Sequence, residues 1–195
     1  MQKGRIKRGK RLVEWRNTIV TIALLTLIFA YDYQKPINTG SYIMQAFLAV
    51  TVALLVNKIS HKLVAKKFGA AAYLRLWTPG IVFGILLMLA GFKFPLVSFM
   101  LIHPFAFGRW GFKSRRFSMT EEGLNGLAGP CANILLAIAL RTFPDPMLSY
   151  MSFVSAYFAI FNLLPLKPMD GYKLLFWKPW VWLFLVIVNV LIFFI

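Results

Sequence analysis

Acidic side chains are scarce in this chain. Six Asp and Glu stand against 22 Lys and Arg in 195 residues, for a formal net charge of +16. Charged residues of both signs make up 14% of the sequence, where a soluble domain spends about a quarter. One cysteine, Cys131, excludes an internal disulfide and a cysteine-built zinc site, and reads as a small apolar residue packed in a helix. Histidine occurs twice, at His61 and His103, so imidazole ligands are few. The positive balance alone would admit nucleic acid, but such a partner needs basic and aromatic side chains on one exposed face. The 19 Phe lie inside uncharged runs, and no nucleic-acid partner is expected.

What the sequence has in abundance is apolar length: 59% of residues are hydrophobic. A spanning helix needs about 20 such residues. Candidates run over 15–33, 42–56 (continuing as a more polar helix to Phe68 and ending at Gly69), 77–92, 124–140, 148–164 and 180–195. The stretch 94–107 is apolar but short and holds Pro95 and Pro104. It is read as a re-entrant hairpin, a pair of strands or a broken helix. No small-x-small cleavage site comes after the first run, which is therefore a transmembrane helix and not a signal peptide.

Seven basic residues in the first 16 positions, from Lys3 to Arg16, mark a cytoplasmic N-terminus. Lys58, Lys62, Lys66, Lys67 and Arg75 then belong inside, as do Arg109, Lys113, Arg115 and Arg116, and finally Lys167, Lys173 and Lys178. This pattern leaves Lys35 and Arg141 outside and requires 77–107 to enter and return on one face. It also places the C-terminus outside. The expectation is an all-α polytopic membrane protein of about six spans, one membrane domain over 1–195: a basic tail at 1–14, a core over about 42–175, and additional spans at 15–33 and 180–195. Membrane lipids are its first partners, and the basic tail can meet anionic headgroups. The sequence contains neither a repeated half nor a ladder of buried charges, which argues against a transporter.

Ionisable groups beside apolar segments need a partner, a cavity or an interface. Three polar islands stand out: Asn57-Lys58-Ile59-Ser60-His61, Gly129-Pro130-Cys131-Ala132-Asn133, and Asn162 to Gly171 with Pro165, Pro168 and Asp170. Asn57 and His61 are four apart and share a helix face. Topology brings the first and third islands to one side of the membrane. Taken singly, each has a plain reading: a headgroup-facing histidine, an interhelical hydrogen bond from Asn133, and a turn at Asp170-Gly171.

Taken together the islands resemble the site-2 protease family of intramembrane zinc metalloproteases. Gly129, Pro130 and Asn133 match a Gly-Pro-x-x-Asn-like motif, and Asn162, Pro165, Pro168, Asp170 and Gly171 match an Asn-x-x-Pro-x-x-Pro-x-Asp-Gly-like motif. The stretch from His61 to Ala70 is similar to the way the family's chains continue beyond the second histidine of His-Glu-x-x-His. The resemblance covers about 57 to 175. It implies a site-2-protease-like helical architecture, with a re-entrant or strand-containing segment at about 93–118 near the path of a substrate.

The departures are equally specific. Asn57 stands where the family has its first zinc histidine, and Lys58 where it has the catalytic glutamate; His61 and Asp170 keep ligand positions. A protonated lysine is no base, and its charge beside a dication opposes metal binding. The resemblance with these losses implies an inactive homologue without a metal cofactor, in which Lys58 pairs with Asp170 in place of zinc. Such a homologue would bind or regulate a membrane protein or transmembrane helix, with exposed backbone in 93–118 suited to strand addition. The alternatives are an active zinc endopeptidase with an atypical site and a structural subunit of a membrane complex. For the enzyme reading, Glu121, Glu122 and His103 are the other residues able to supply a base or ligand. Glu121 and Glu122 are accounted for as helix N-terminal charge after Thr120, and His103 as interfacial.

Overall fold

The structure is a computed structural model that describes residues 2–31, 40–108, 111–114 and 117–194. The elements are α1 (Gln2–Ala30), α2 (Gly40–Lys67), β1 (Ala70–Leu76), α3 (Thr78–Leu89), β2 (Ser98–Gly108), β3 (Gly111–Ser114), α4 (Met119–Arg141), α5 (Pro146–Asn162), α6 (Asp170–Trp177) and α7 (Pro179–Ile192). The expected Asp32–Asn38 connection with Lys35, and Arg109, Arg115 and Arg116, lie outside the described residues.

Three helical stretches are long and apolar enough to cross a membrane: Leu12–Ala30, Tyr42–Lys67 and Met119–Arg141. The sequence leads one to expect six. The difference lies in helix length. α3, α5 and α7 have 12, 17 and 14 residues, so at about 1.5 Å per residue each falls short of a hydrocarbon core of about 30 Å. α3 and α7 are shorter than the corresponding apolar runs, 77–92 and 180–195. Gly91, in a left-handed conformation at φ 85°, comes just after α3, and Gly69, at φ 64°, just after α2; both supply a backbone turn that other residues resist.

α2 is continuous through Asn57 and His61, so the apolar span and its polar extension are one helix. The fold is not purely helical, since the three strands form a sheet in the order β1-β2-β3. The ambiguous 77–107 region is a helix and then a strand. β2 and β3 pair antiparallel, Phe105 opposite Ser114 and Gly108 opposite Gly111. β1 has no counterpart in the sequence expectation, because Ala70-Ala71-Ala72 carries little strand preference.

Two compact units divide the chain: Met1–Phe47 with Tyr73–Leu101, and Leu48–Ala72 with Ile102–Ile195. In the first, α1 packs on α3, and Leu25, Ile28, Leu96 and Val97 are buried to 2% exposure or less. The buried Asn17 amide donates to the Leu74 carbonyl at 3.0 Å, and Lys93 Nζ donates to the Phe29 carbonyl at 3.0 Å.

In the second unit α4 packs on α5, α6 and α7 around Ile134, Ala137, Ala156, Ala159, Leu163 and Leu174. Small side chains at this seam let backbones approach, and hydroxyls and amides tie helix to helix. Ser152 Oγ donates to the Ala137 carbonyl (2.8 Å), Ser155 Oγ to the Asn133 carbonyl (3.0 Å), and Asn189 Nδ2 to the Ala156 carbonyl (3.0 Å).

α4 starts one turn earlier than the expected span. Its N-cap is Ser118, not Thr120, in a capping box: Ser118 Oγ accepts from the Glu121 amide, and Glu121 Oε2 accepts from the Ser118 amide at 3.0 Å. The reading of Glu121 as helix-terminal charge therefore holds, with a different capping residue. Ser118→Ala should lower stability by about 1 kcal/mol, read as a fall in thermal midpoint of the detergent-solubilised protein. Thr120→Ala should leave the midpoint nearly unchanged.

Candidate functional site

The second unit brings the polar islands together. On α2, Asn57 and His61 lie one turn apart and are buried, at 7% and 0% exposure. On α4, Asn125, Gly129 and Asn133 recur every fourth residue, so they share one helical face, and all three are buried. Asp170, 5% exposed, opens α6 after the turn at 163–169.

His61 is held from both sides. Its Nδ1 meets Asn125 Oδ1 at 3.1 Å, and its Nε2 lies 3.0 Å from Asp170 Oδ2. The carboxylate sits off the ring N–H direction, since Nε2 has no well-directed hydrogen-bond partner. Both ring nitrogens thus face side-chain oxygens. The other carboxylate oxygen, Oδ1, accepts from Lys173 Nζ at 2.7 Å. Burial alone would push the Asp170 carboxyl up, but the His61 and Lys173 charges and contacts overcome it and hold it down at about 2.

Glycine makes this proximity possible. A Cβ at Gly129 would overlap His61 Nε2 and the Asn57 side-chain amide, and one at Gly171 would overlap the Leu163 carbonyl. The first glycine lets α2 side chains rest on the α4 backbone, and the second lets α6 begin against the end of α5.

Several sequence expectations are thereby located. His61, Asp170, Asn57 and Gly129 converge. Asn162 does not join them: its Nδ2 donates to the Phe158 carbonyl of its own helix at 2.9 Å. Pro165 and Pro168 shape the turn, and Pro130 is buried inside α4. Lys58 is buried at 8% exposure, but the ammonium found beside Asp170 is that of Lys173. An i, i+3 partner on the same helix reaches the carboxylate without any long-range fit, which is why it takes the place expected for Lys58. His103 is exposed on β2.

Asn125 and Lys173 do not stand out from the sequence as site residues. The signals were present: Asn125 repeats the spacing of Gly129 and Asn133, and Lys173 lies three residues beyond Asp170. Around this cluster, Asn57 Nδ2, Asn125 Nδ2 and both polar atoms of Asn133 are buried without a hydrogen-bond partner among the described residues.

Comparison with known proteins finds one informative relative. A protein of Methanocaldococcus jannaschii named "Putative zinc metalloprotease" is 28% identical over 173 residues, covering 84% of this chain and 84% of its own length. No family model and no solved structure matches the chain. The similarity is consistent with a metalloprotease-like family.

The donor set can be tested against zinc. A catalytic zinc centre keeps three protein ligands and an open fourth position. Here two ligating side chains face each other, His61 and Asp170; a neutral carboxamide at Asn57 is a poor third. Among the described residues no group of three or more His, Cys, Asp or Glu is placed to hold a metal ion. Of the three protein ligands such a centre needs, His61 and Asp170 are the two brought together among the described residues.

Asp170→Asn leaves His61 and Lys173 without their counter-charge, and should destabilise by about 3 kcal/mol, measured by thermal unfolding in detergent. Because the Asp170 carboxyl is depressed from its ordinary 3.8 to about 2, its contribution is complete above 3.8 and is lost as pH falls through about 2. The difference between wild type and Asp170→Asn should therefore stay constant from about pH 5 to neutrality. Gly129→Ala should destabilise by about 1–3 kcal/mol through overpacking, and more than Ala132→Gly.

Proposed function

We propose that this chain is a catalytically inactive intramembrane metalloprotease homologue that binds a membrane protein partner. One observation carries the reading. Asn57 and Lys58 occupy the positions of a zinc histidine and a catalytic glutamate, one turn before a His61 that still faces Asp170 at 3.0 Å.

Peptide hydrolysis at such a centre needs a base to take a proton from water and return it to the leaving amine. Lys58 offers a cation there. Asp170 meanwhile has a close partner on each oxygen, Lys173 on Oδ1 and the His61 ring on Oδ2, so the carboxylate is already committed. The remaining assembly is a fixed ionic joint between α2 and α6, backed by the α4 backbone at Gly129.

A retained site geometry without its chemistry suits holding a substrate-like segment. The Asn133 carboxamide is buried with both polar atoms unpaired among the described residues, which gives a bound main chain a donor and an acceptor. The β2–β3 hairpin is a template for strand addition by an extended segment. The partner is a transmembrane helix with an extended stretch. The protein sits in the membrane as a multi-pass chain, N-terminus in the cytoplasm and C-terminus outside.

Metal analysis of the protein purified in detergent tests this. Far less than one zinc per chain is expected, with no cleavage of a transmembrane substrate. Restoring the family residues in Asn57→His/Lys58→Glu should raise zinc toward one per chain. Stoichiometric zinc in the wild type, lost in His61→Ala, would overturn the inactive assignment. The binding role predicts a membrane protein that co-purifies and is lost on charge substitutions along 93–118.

A further inference from the structure

We propose that α6 and its two flanks form a docking site for the anionic headgroups of a phospholipid bilayer. The site is separate from the polar cluster and does not depend on the reading of that cluster.

Two lysines bracket the helix, Lys167 before it and Lys178 directly after it. The inward face of α6 is fixed: Asp170, Gly171 and Leu174 are buried, and Trp177 lies over Gly123 of α4. The outward side carries large apolar groups, with Leu166 at 52%, Phe176 at 60% and Trp180 at 81% exposure. Full lysine charges interleaved with exposed Phe and Trp suit neither bulk water nor the hydrocarbon centre. They suit the interface, where aromatic rings settle at headgroup depth and lysines reach for phosphate.

The lysine geometry fits that role. Lys167 Nζ lies 4.8 Å from the Tyr172 ring centroid, and Lys178 Nζ 5.0 Å from that of Trp177. Tyr172 packs in turn on Phe176 at 4.6 Å. An ammonium resting on a ring face keeps its remaining N–H groups turned outward, available to an anion.

Charge selects the occupant. Residues 146–195 contain a single acidic side chain, Asp170, and it is buried against His61 and Lys173. No side-chain carboxylate of this segment is left to neutralise Lys167 or Lys178. The chain breaks at Lys178, with extended backbone (φ −149°, ψ 96°), and the apolar helix α7 starts at Pro179. The joint lets α6 lie along the leaflet surface while α7 enters it.

The test uses the full chain in phosphatidylcholine nanodiscs containing brominated phosphatidylglycerol or, at equal mole fraction, brominated phosphatidylcholine. The Trp180 contribution is the difference in fluorescence quenching between wild type and Trp180→Phe. Brominated phosphatidylglycerol should quench it severalfold more, since two lysines near the surface can enrich anionic lipid by up to roughly thirtyfold. Lys167→Gln/Lys178→Gln should bring the two lipids to equality. Lys167→Arg/Lys178→Arg, which keeps both charges, should preserve the preference, and raised salt should weaken it.

Equal quenching by the two lipids in the wild type would overturn the site. So would an anionic preference that survives the Gln pair. Loss of the preference on adding millimolar inorganic phosphate would identify a soluble phosphate ligand and overturn the bilayer as occupant.

Discussion

The second unit depends on one carboxylate. Asp170 is buried, and a buried carboxylate is tolerable only when each oxygen has a partner. Lys173 supplies one from the next turn of α6, and His61 the other from α2, far away in sequence. The local pair satisfies charge, while the distant one fixes tertiary position. Asn125 holds the far side of the His61 ring, so α2, α4 and α6 meet through three side chains and one glycine.

Around that joint the unit is assembled with small residues and backbone-directed hydrogen bonds. Ser152, Ser155 and Asn189 each donate to a carbonyl of a neighbouring helix. In an apolar surrounding, water cannot compete for these groups, so they specify which helix faces which. Leucine-rich surfaces alone would not, because lipid tails are as apolar as leucine. The polar atoms left over at Asn57, Asn125 and Asn133 lie around the same cluster.

Asn57, Lys58 and His61 are carried on one uninterrupted helix, α2. The ionic joint uses the two retained positions, His61 and Asp170, and gains Lys173. Together these contacts tie α2 to α6.

How much of this was legible in the sequence varied by level. Apolar run length and the clustering of lysines pointed to membrane helices, because the hydrocarbon core selects on composition alone. Helical periodicity put Asn57 and His61 on one face, whereas the grouping of His61, Gly129 and Asp170 came from the family resemblance, since they lie on three different helices. The end of α2 before Gly69 was legible, whereas α3 and α7 are shorter than their apolar runs, since composition does not mark where an apolar stretch leaves the helix. β1 escaped because alanines have no strand signature, and its pairing comes from β2, distant in sequence. Only the tertiary structure decided which ammonium meets Asp170. The sequence expectation named Lys58, and the ammonium at 2.7 Å from Oδ1 is that of Lys173, which reaches it across one turn of the same helix.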